Sequence, residues 1–132
     1  MPSNFGPLQN FTAGSDLSAK QFYIMEGTTA GVVDLANAAT DKALGILYTK
    51  PKSGAAASVM TRQGARASAA CDGTTDIAAY DWLGVNSAGV LVKKATADYT
   101  VCALALEVCT LDGVEIHDVL WLGPGFFRAA LG

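Results

Sequence analysis

The chain has 132 residues, which suits a single domain, and its formal net charge of −3 with nine Lys and Arg argues against nucleic acid as the main partner. Charged residues make up only 16% of the chain, against about 25% in typical domains. This low fraction favours a surface partly covered by other chains, although a monomer rich in Ala and Gly would also show it.

The N-terminal residues MPSNFGPLQNF have neither a basic segment nor a continuous apolar run, so we expect no signal peptide. No run of about 18 apolar residues predicts a transmembrane helix, and we expect synthesis in a reducing cytoplasm. Residues 1–18 are predicted to form an extended arm, punctuated by Gly and Pro, that carries Phe5, Leu8 and Phe11. Since the strand pattern begins near Lys20, we expect the fold to survive deletion of residues 1–14.

From residue 20 onward, short apolar or alternating segments are separated by Gly-containing turns every 8–12 residues or so, as in a sandwich or small barrel. Segments 35–43 and 75–83 do not sustain a helical period, which predicts a loop and a turn. An all-β domain is therefore predicted over residues 19–122. Its predicted strands are 20–26, 31–35, 43–48, 57–63, 65–70, 82–85, 89–95, 100–108 and 114–122.

The segment YDWLGVNSAGVLVKKAT, residues 80–96, predicts a β-hairpin. Its connection is Asn86-Ser87-Ala88-Gly89, in which Gly89 is expected to supply a positive φ. The nearly apolar segment TVCALALEV, residues 100–108, is typical of a strand buried on both faces. We expect one core to contain Ile46, Trp82, Val92, Leu104 and Leu106.

A weak internal similarity relates residues 42–60 to residues 101–119. Each segment consists of an apolar strand, a polar turn with Gly, and an alternating strand. The two segments are either ordinary hairpins or the similar halves of a pseudo-symmetric barrel.

The sequence marks no catalytic site. His117 is the only histidine, and no GxSxG motif accompanies it, so it is expected to be a partly exposed strand residue. Most carboxylates stand beside turn residues, and no phosphate-binding loop occurs. Cys71, Cys102 and Cys109 form no CxxC and are expected to be buried free thiols, because a structural zinc site usually needs four close Cys or His ligands. No catalytic residue, cofactor or metal is therefore expected.

Residues 123–132, GPGFFRAALG, are predicted to form an apolar tail after a Gly-Pro-Gly break. Large apolar side chains in the arm and the tail are costly to leave in water. They either fold back on their own barrel or reach a neighbouring subunit, for example by adding a strand to an exposed sheet edge. The expected interface residues are Phe5, Leu8, Phe11, Phe126, Phe127 and Arg128.

The segments DKALGIL (41–47), GVNSAGVLVKKAT (84–96) and CALALEV (102–108) resemble the small capsid cement, or decoration, proteins of tailed bacteriophages. Members of one such family are sometimes labelled RecA/RadA-like, although this chain lacks the phosphate loop that such a label requires. The resemblance covers residues 18–120 and implies a small β-barrel or β-tulip of short antiparallel strands without catalytic residues.

The resemblance also implies a role. Cement proteins bind the outside of the head, often as homotrimers, and stabilise contacts between subunits of the major capsid protein. We therefore expect a virion protein at the capsid surface, made in the host cytoplasm, with no membrane or direct nucleic-acid partner. The alternatives are another virion component such as a tail-tube subunit, or a soluble β-barrel module that binds a ligand; an enzyme comes last.

Overall fold

The structure of the chain is a computed structural model that describes residues 8–37, 43–94 and 100–127. These residues form β-strands and contain no helix, so none that could cross a membrane. The all-β prediction is therefore confirmed. The strands are β1 (Leu8–Ala13), β2 (Ile24–Thr29), β3 (Val32–Leu35), β4 (Ala43–Leu47), β5 (Ala56–Met60), β6 (Arg66–Asp72), β7 (Trp82–Val85), β8 (Leu91–Lys93), β9 (Thr100–Ala105) and β10 (Val114–Phe127).

The strands close into two small barrels, which confirms the predicted barrel and adds a second one. The first, here called ring one, has the strand order β1-β3-β2-β4-β5. Ring two has the order β6-β8-β7-β9-β10 and closes in the same way. Most neighbouring strands are antiparallel, as predicted, but β1 and β3 are parallel, and so are β6 and β8.

Ring two repeats ring one strand for strand. The strands β1 to β5 correspond in order to β6 to β10. Corresponding residues differ in number by a constant amount for β1 to β4 and by a slightly larger amount for β5, and with these differences the residue pairs of one ring match those of the other. For example, the pair Phe11↔Ala57 becomes Ala69↔His117, and the parallel pair Ala13↔Val33 becomes Cys71↔Leu91. The similar segments 42–60 and 101–119 are thus equivalent hairpins of two separate rings, not two halves of one barrel.

The repetition extends to the turns. Phe22 and Tyr80 are equivalent under the offset that relates β1 to β6, and both have a φ of 71°, a left-handed conformation that few aromatic residues adopt. Gly31 and Gly89 are equivalent in the same way and share a φ of 76°, which confirms the positive φ expected at Gly89. Agreement between such uncommon backbone angles indicates that the two rings are copies of one folding unit.

Each ring is narrow, which decides the size of the residues that point inward. In ring two the buried interior combines large side chains such as Trp121, Leu83 and Leu91 with Ala103 and Ala105. Because successive residues of a strand point to opposite faces, Leu104, which lies between these alanines, points outward.

This geometry corrects the predicted core. Ile46 is fully buried, as expected, but the other predicted members are only half-buried: Trp82, Val92, Leu104 and Leu106. The prediction that TVCALALEV is buried on both faces is right for Val101 to Ala103 only. The interior of a small barrel is filled by a mixture of large and small side chains, so on β9 the alanines point inward and Leu104 is left for the outside.

The two rings pack against each other through the outer face of ring one. Ile24, Ile46 and Met60 lie side by side on β2, β4 and β5, at most 3% exposed, in one buried cluster with the interior of ring two. Among the described residues, two backbone hydrogen bonds join the rings. The Ile24 N–H donates to the Gly89 carbonyl at 2.8 Å, and the Ala70 N–H donates to the Phe22 carbonyl at 2.9 Å.

The strands do not follow the expected boundaries at residues 18 and 122. β1 lies within the segment expected to be an arm, and it pairs with β3 and β5. β10 continues to Phe127, within the expected tail. The sequence LQNFTA of β1 resembles a loop because the polar Asn10 and Thr12 face outward, while Phe11 and Ala13 face the interior of ring one.

Candidate interaction surface and the His117 cluster

Ring two carries a row of large apolar side chains on its outer surface. Trp82 pairs with Leu104 across β7 and β9, and Leu104 pairs with Leu120 across β9 and β10. All three side chains are half-buried, and Tyr80, close to Trp82 in the sequence, is 70% exposed. We call Tyr80, Trp82, Leu104 and Leu120 the ring-two patch.

The ring-two patch is the counterpart of the surface with which ring one binds ring two. The equivalence between the rings relates it to the ring-one patch, which we define as Phe22, Ile24, Ile46 and Met60. In ring one these side chains are buried, except for Phe22, which is half-buried and packs edge-on against Tyr48. The chain therefore covers one copy of this surface and leaves the other facing outward.

The surface that receives the ring-one patch is not duplicated in full. In ring two the Ala70 N–H and the Gly89 carbonyl bond to ring one. Their counterparts in ring one are Thr12 and Gly31, and the Thr12 N–H donates to the Gly31 carbonyl at 2.8 Å. A second barrel binding at the ring-two patch would therefore depend on side-chain packing more than on these two backbone bonds.

Of the interface residues expected from the sequence, the structure describes the side chains of Leu8 and Phe11. Leu8 is 43% exposed at the start of β1, and Phe11 is half-buried against the core of ring one. Phe126 and Phe127 belong to β10 and pair with Val101 and Thr100 through the backbone. Phe5 and Arg128 lie outside the described residues, as do the side chains of Phe126 and Phe127.

Of the two alternatives that the sequence left open for the arm, residues Leu8–Ala13 follow the first and fold back on their own barrel. Strand addition needs a sheet edge with unpaired backbone groups. The described strands of each ring close on themselves, and β1 itself closes ring one between β3 and β5. The strand of the expected arm is therefore added to the chain's own barrel.

His117 lies at one end of ring two between two carboxylates. Its Nδ1 is 2.9 Å from Glu107 and its Nε2 is 2.8 Å from Glu115. Carboxylates only accept hydrogen bonds, so both contacts are satisfied when both ring nitrogens carry a proton. Desolvation lowers the pKa of His117, but the hydrogen bonds to Glu107 and Glu115 outweigh it and raise that pKa above its usual value. The expected partly exposed strand histidine thus belongs to a polar cluster with Glu107 and Glu115, which we call the His117 cluster.

All three cysteines are buried free thiols, as predicted. Burial raises the pKa of the Cys71 and Cys102 thiols to about 12. Burial also raises the pKa of Cys109, which lies beside the His117 cluster. Thiols held in the neutral form are poor nucleophiles, so none of the three is prepared for covalent catalysis.

A cleft of about 480 Å³ lies where β5 leads into β6, and its walls include Tyr48, Met60, Arg62 and Arg66. Arg66 forms a salt bridge with Asp118 at 2.9 Å, and both arginines are exposed. An enclosed apolar pocket would favour a barrel that binds an apolar ligand, but this cleft is partly open to solvent and has two arginines in its wall.

Comparison with known proteins shows the fold. No protein-family model and no curated protein matches the sequence. Among solved structures, the chain resembles the N base of head fiber gp8.5 from bacteriophage phi29, with a TM-score of 0.64 and 16% identity. The match covers 86% of this chain and 92% of the phi29 chain. The chain therefore shares the fold of this phage head protein.

Sequence reasoning missed the ring-two patch because it placed Trp82 and Leu104 in the core. The repeated hairpins held a partial signal, since Ile46 and Leu104 both lie in the first strand of their segments, 42–60 and 101–119. Aligned end to end, however, the two segments match Ile46 with Ala105. The pairing register was needed to show that one is covered while the other faces outward.

Proposed function

We propose that this chain is a virion structural protein that binds the outside of a bacteriophage head and stabilises contacts between subunits of the major capsid protein. The fold shared with the phi29 head-fiber base over 92% of that chain is the observation that carries the proposal. The sequence resemblance to capsid cement proteins supports the same role. Such a role needs no catalytic residue and no cofactor.

We propose that the chain also binds copies of itself, as the expected trimer, through the ring-two patch. The ring-one patch already packs against a barrel of this fold, so a barrel from another copy is a suitable partner for its counterpart. Contacts between different surfaces of identical chains close into a ring when the rotation between copies allows it. Three chains joined in this way would contribute six barrels to one assembly.

The role at the head is tested by quantitative mass spectrometry of purified virions separated into heads and tails. We expect the protein in the head fraction, at a copy number comparable to that of the major capsid protein. Added protein should also bind isolated heads that lack it and raise the temperature at which they release DNA. Recovery from tails only would favour the tail-tube alternative, and absence from both fractions would reject a virion role.

Self-association is tested with Leu120→Glu, which places a charge in the ring-two patch, and with Val108→Glu as the control. Val108 is 59% exposed in the connection between β9 and β10 and is not a member of the patch. We expect sedimentation velocity to show trimers for the wild type and the control, and monomers for Leu120→Glu. Trimers of unchanged stability in Leu120→Glu would exclude the patch as the interface.

A further inference from the structure

Two residues of the His117 cluster, together with the neighbouring Cys109, have the composition of a transition-metal site. We propose that Cys109, Glu115 and His117 bind one zinc-class divalent ion at the end of ring two. The ligand atoms of these side chains all lie within 4.8 Å of one another. Tetrahedral zinc with bonds of about 2.0–2.3 Å separates its ligands by about 3.3–3.8 Å. Small side-chain adjustments would therefore bring the three atoms onto one ion.

The proposed ligands are held by the fold. Glu115 and His117 alternate with Ile116 on β10 and therefore point to the same side of the strand. Cys109 is fixed by a pair of backbone hydrogen bonds with Ile77, each 2.9 Å long. Ligands on a paired backbone lose little conformational freedom when an ion binds, which favours affinity.

Glu107 has the geometry of a supporting residue for a metal-bound histidine. Ligating histidines usually donate their other ring N–H to a carboxylate, which fixes the orientation of the imidazole. Glu107 contacts Nδ1 of His117 at 2.9 Å and also accepts the Asp118 N–H at 3.1 Å. Nε2 faces Glu115, so an ion would replace the proton between Nε2 and the carboxylate.

The fold does not require these residues. The equivalence of the pairs Phe11↔Ala57 and Ala69↔His117 makes Ala57 the ring-one counterpart of His117, and by the same register Ala55 is the counterpart of Glu115. Ring one closes into the same barrel with alanine at both positions. The ligands are therefore an addition to ring two, and a specific role explains them better than the needs of the barrel.

The ligand chemistry selects the ion. A thiolate, an imidazole and a carboxylate suit zinc, whereas calcium and magnesium prefer oxygen ligands alone. Three protein ligands leave the fourth position to water. The sequence-based argument against zinc counted only Cys and His as ligands, and for that reason it did not consider Glu115 for such a site. The ion would tie the connection between β9 and β10, which contains Cys109, to β10 itself.

The proposal is tested on the full chain, without an affinity tag, after dialysis against a chelator. Calorimetry with zinc chloride should show saturable binding of one ion per chain. Cobalt in place of zinc should give the near-ultraviolet absorption of a cobalt–thiolate bond. Cys109→Ser and His117→Gln should each weaken zinc binding by more than the 10–100-fold typical of losing a supporting residue.

Two variants act as controls. Cys102→Ser alters a buried thiol of the same ring that is not among the proposed ligands, and it should keep both the affinity and the cobalt–thiolate absorption. Glu107→Gln should weaken binding by about 10–100-fold while the absorption persists. If a variant does not fold, the cobalt spectrum of the wild type still decides. Absence of the thiolate absorption, or full zinc affinity in Cys109→Ser, would overturn the proposal.

Discussion

At the scale of single residues, Trp121 shows how ring two balances packing against polarity. Its side chain is fully buried, and its Nε1 has no hydrogen-bond partner among the described residues. Burying an N–H without a partner costs about 1–3 kcal/mol. The indole therefore stabilises the barrel through its volume and in spite of its polar atom.

We predict that Trp121→Phe is tolerated much better than Trp121→Ala. The alanine variant should lose about 3–5 kcal/mol of unfolding free energy, because it leaves a cavity in a narrow barrel. Phenylalanine keeps most of the volume and removes the unsatisfied N–H, so its cost should be less than half as large. Urea denaturation followed by circular dichroism measures both. Equal losses would mean that Nε1 has a partner in the folded protein.

The Cys102 thiol should make stability fall at alkaline pH. The thiol is buried, and desolvation raises its pKa from 9.0 to about 12. Below 9.0 the thiol is protonated in both states, and above it only the unfolded state loses the proton. The stability that the buried thiol contributes is therefore fully present below pH 9.0 and is lost as the pH rises toward the pKa of the folded state. At one pH unit above 9.0 the loss should be about 1.4 kcal/mol.

The measurement compares urea denaturation at pH 7 and pH 10 for the wild type and Cys102→Ala. The alanine variant is less stable at both pH values because of the cavity. Its unfolding free energy should, however, fall less between pH 7 and pH 10 than that of the wild type, by about 1.4 kcal/mol. Lysines and tyrosines titrate in both proteins, so the difference reports the thiol. An identical loss in both proteins would show that Cys102 ionises freely in the folded state.

At the scale of elements, Gly31 and Gly89 offer a matched pair of turns. Both have a φ of 76°. A Cβ at Gly31 would meet nothing within 4 Å, whereas a Cβ at Gly89 would lie 2.4 Å from Cδ1 of Leu35 and 3.1 Å from the Ala36 carbonyl. The two glycines thus share a backbone requirement, and only Gly89 also has a packing requirement from the contact between the rings.

We predict that Gly31→Ala costs about 1–2 kcal/mol, the strain of the left-handed conformation. Gly89→Ala should cost about 1–3 kcal/mol more, because Leu35 has to move. Thermal denaturation of the two variants side by side measures the difference. Equal costs would indicate that the contact between Gly89 and Leu35 relaxes freely.

Strand β1 makes the N-terminal segment part of the barrel. Contrary to the expectation from the sequence, deletion of residues 1–14 should abolish cooperative unfolding, because it opens ring one between β3 and β5. Deletion of residues 1–7 removes no described strand and is the control. Near-ultraviolet circular dichroism and a calorimetric scan report the outcome. A cooperative transition in the longer deletion would mean that ring one closes without β1.

The local pattern of the sequence predicts the later strands well, because alternation and turn residues are properties of short segments. The predicted hairpin matches β7 and β8, and the Asn86 side chain accepts the Ala88 and Val90 N–H groups at its turn. Alternation does not say which face is inside, so the sequence places Leu104 in the core instead of Ala103 and Ala105. That choice depends on the width of the barrel, which is a property of all five strands together.

At the scale of the whole molecule, the two rings share one buried cluster. Ile24, Ile46 and Met60 belong to the outer surface of ring one and to the same cluster as Trp121 inside ring two. Neither ring can lose the other without exposing this surface. Long-range contacts of this kind leave no local signal in the sequence, which is why it predicts one barrel and does not predict the His117 cluster.

The equivalence of Ile46 and Leu104 leads to the last prediction. Ile46 is fully buried between the rings, while Leu104 occupies the same position on ring two and is half-buried at the outer surface. Ile46→Ala should therefore cost about 2–5 kcal/mol of unfolding free energy. Leu104→Ala should cost about 1 kcal/mol in the monomer, roughly half the value for a fully buried side chain.

For self-association we expect the reverse order: Leu104→Ala should have the larger effect and Ile46→Ala the smaller one. Leu104→Ala removes apolar contact area from the proposed interface between copies, so its trimers should dissociate at a higher protein concentration than those of the wild type. Ile46→Ala changes a surface that ring two already covers, and the fraction that remains folded should assemble normally. Denaturation at low concentration and sedimentation velocity across a concentration series separate the two effects. If Leu104→Ala destabilises the monomer as strongly as Ile46→Ala and leaves assembly unchanged, the outer surface of ring two serves only its own barrel.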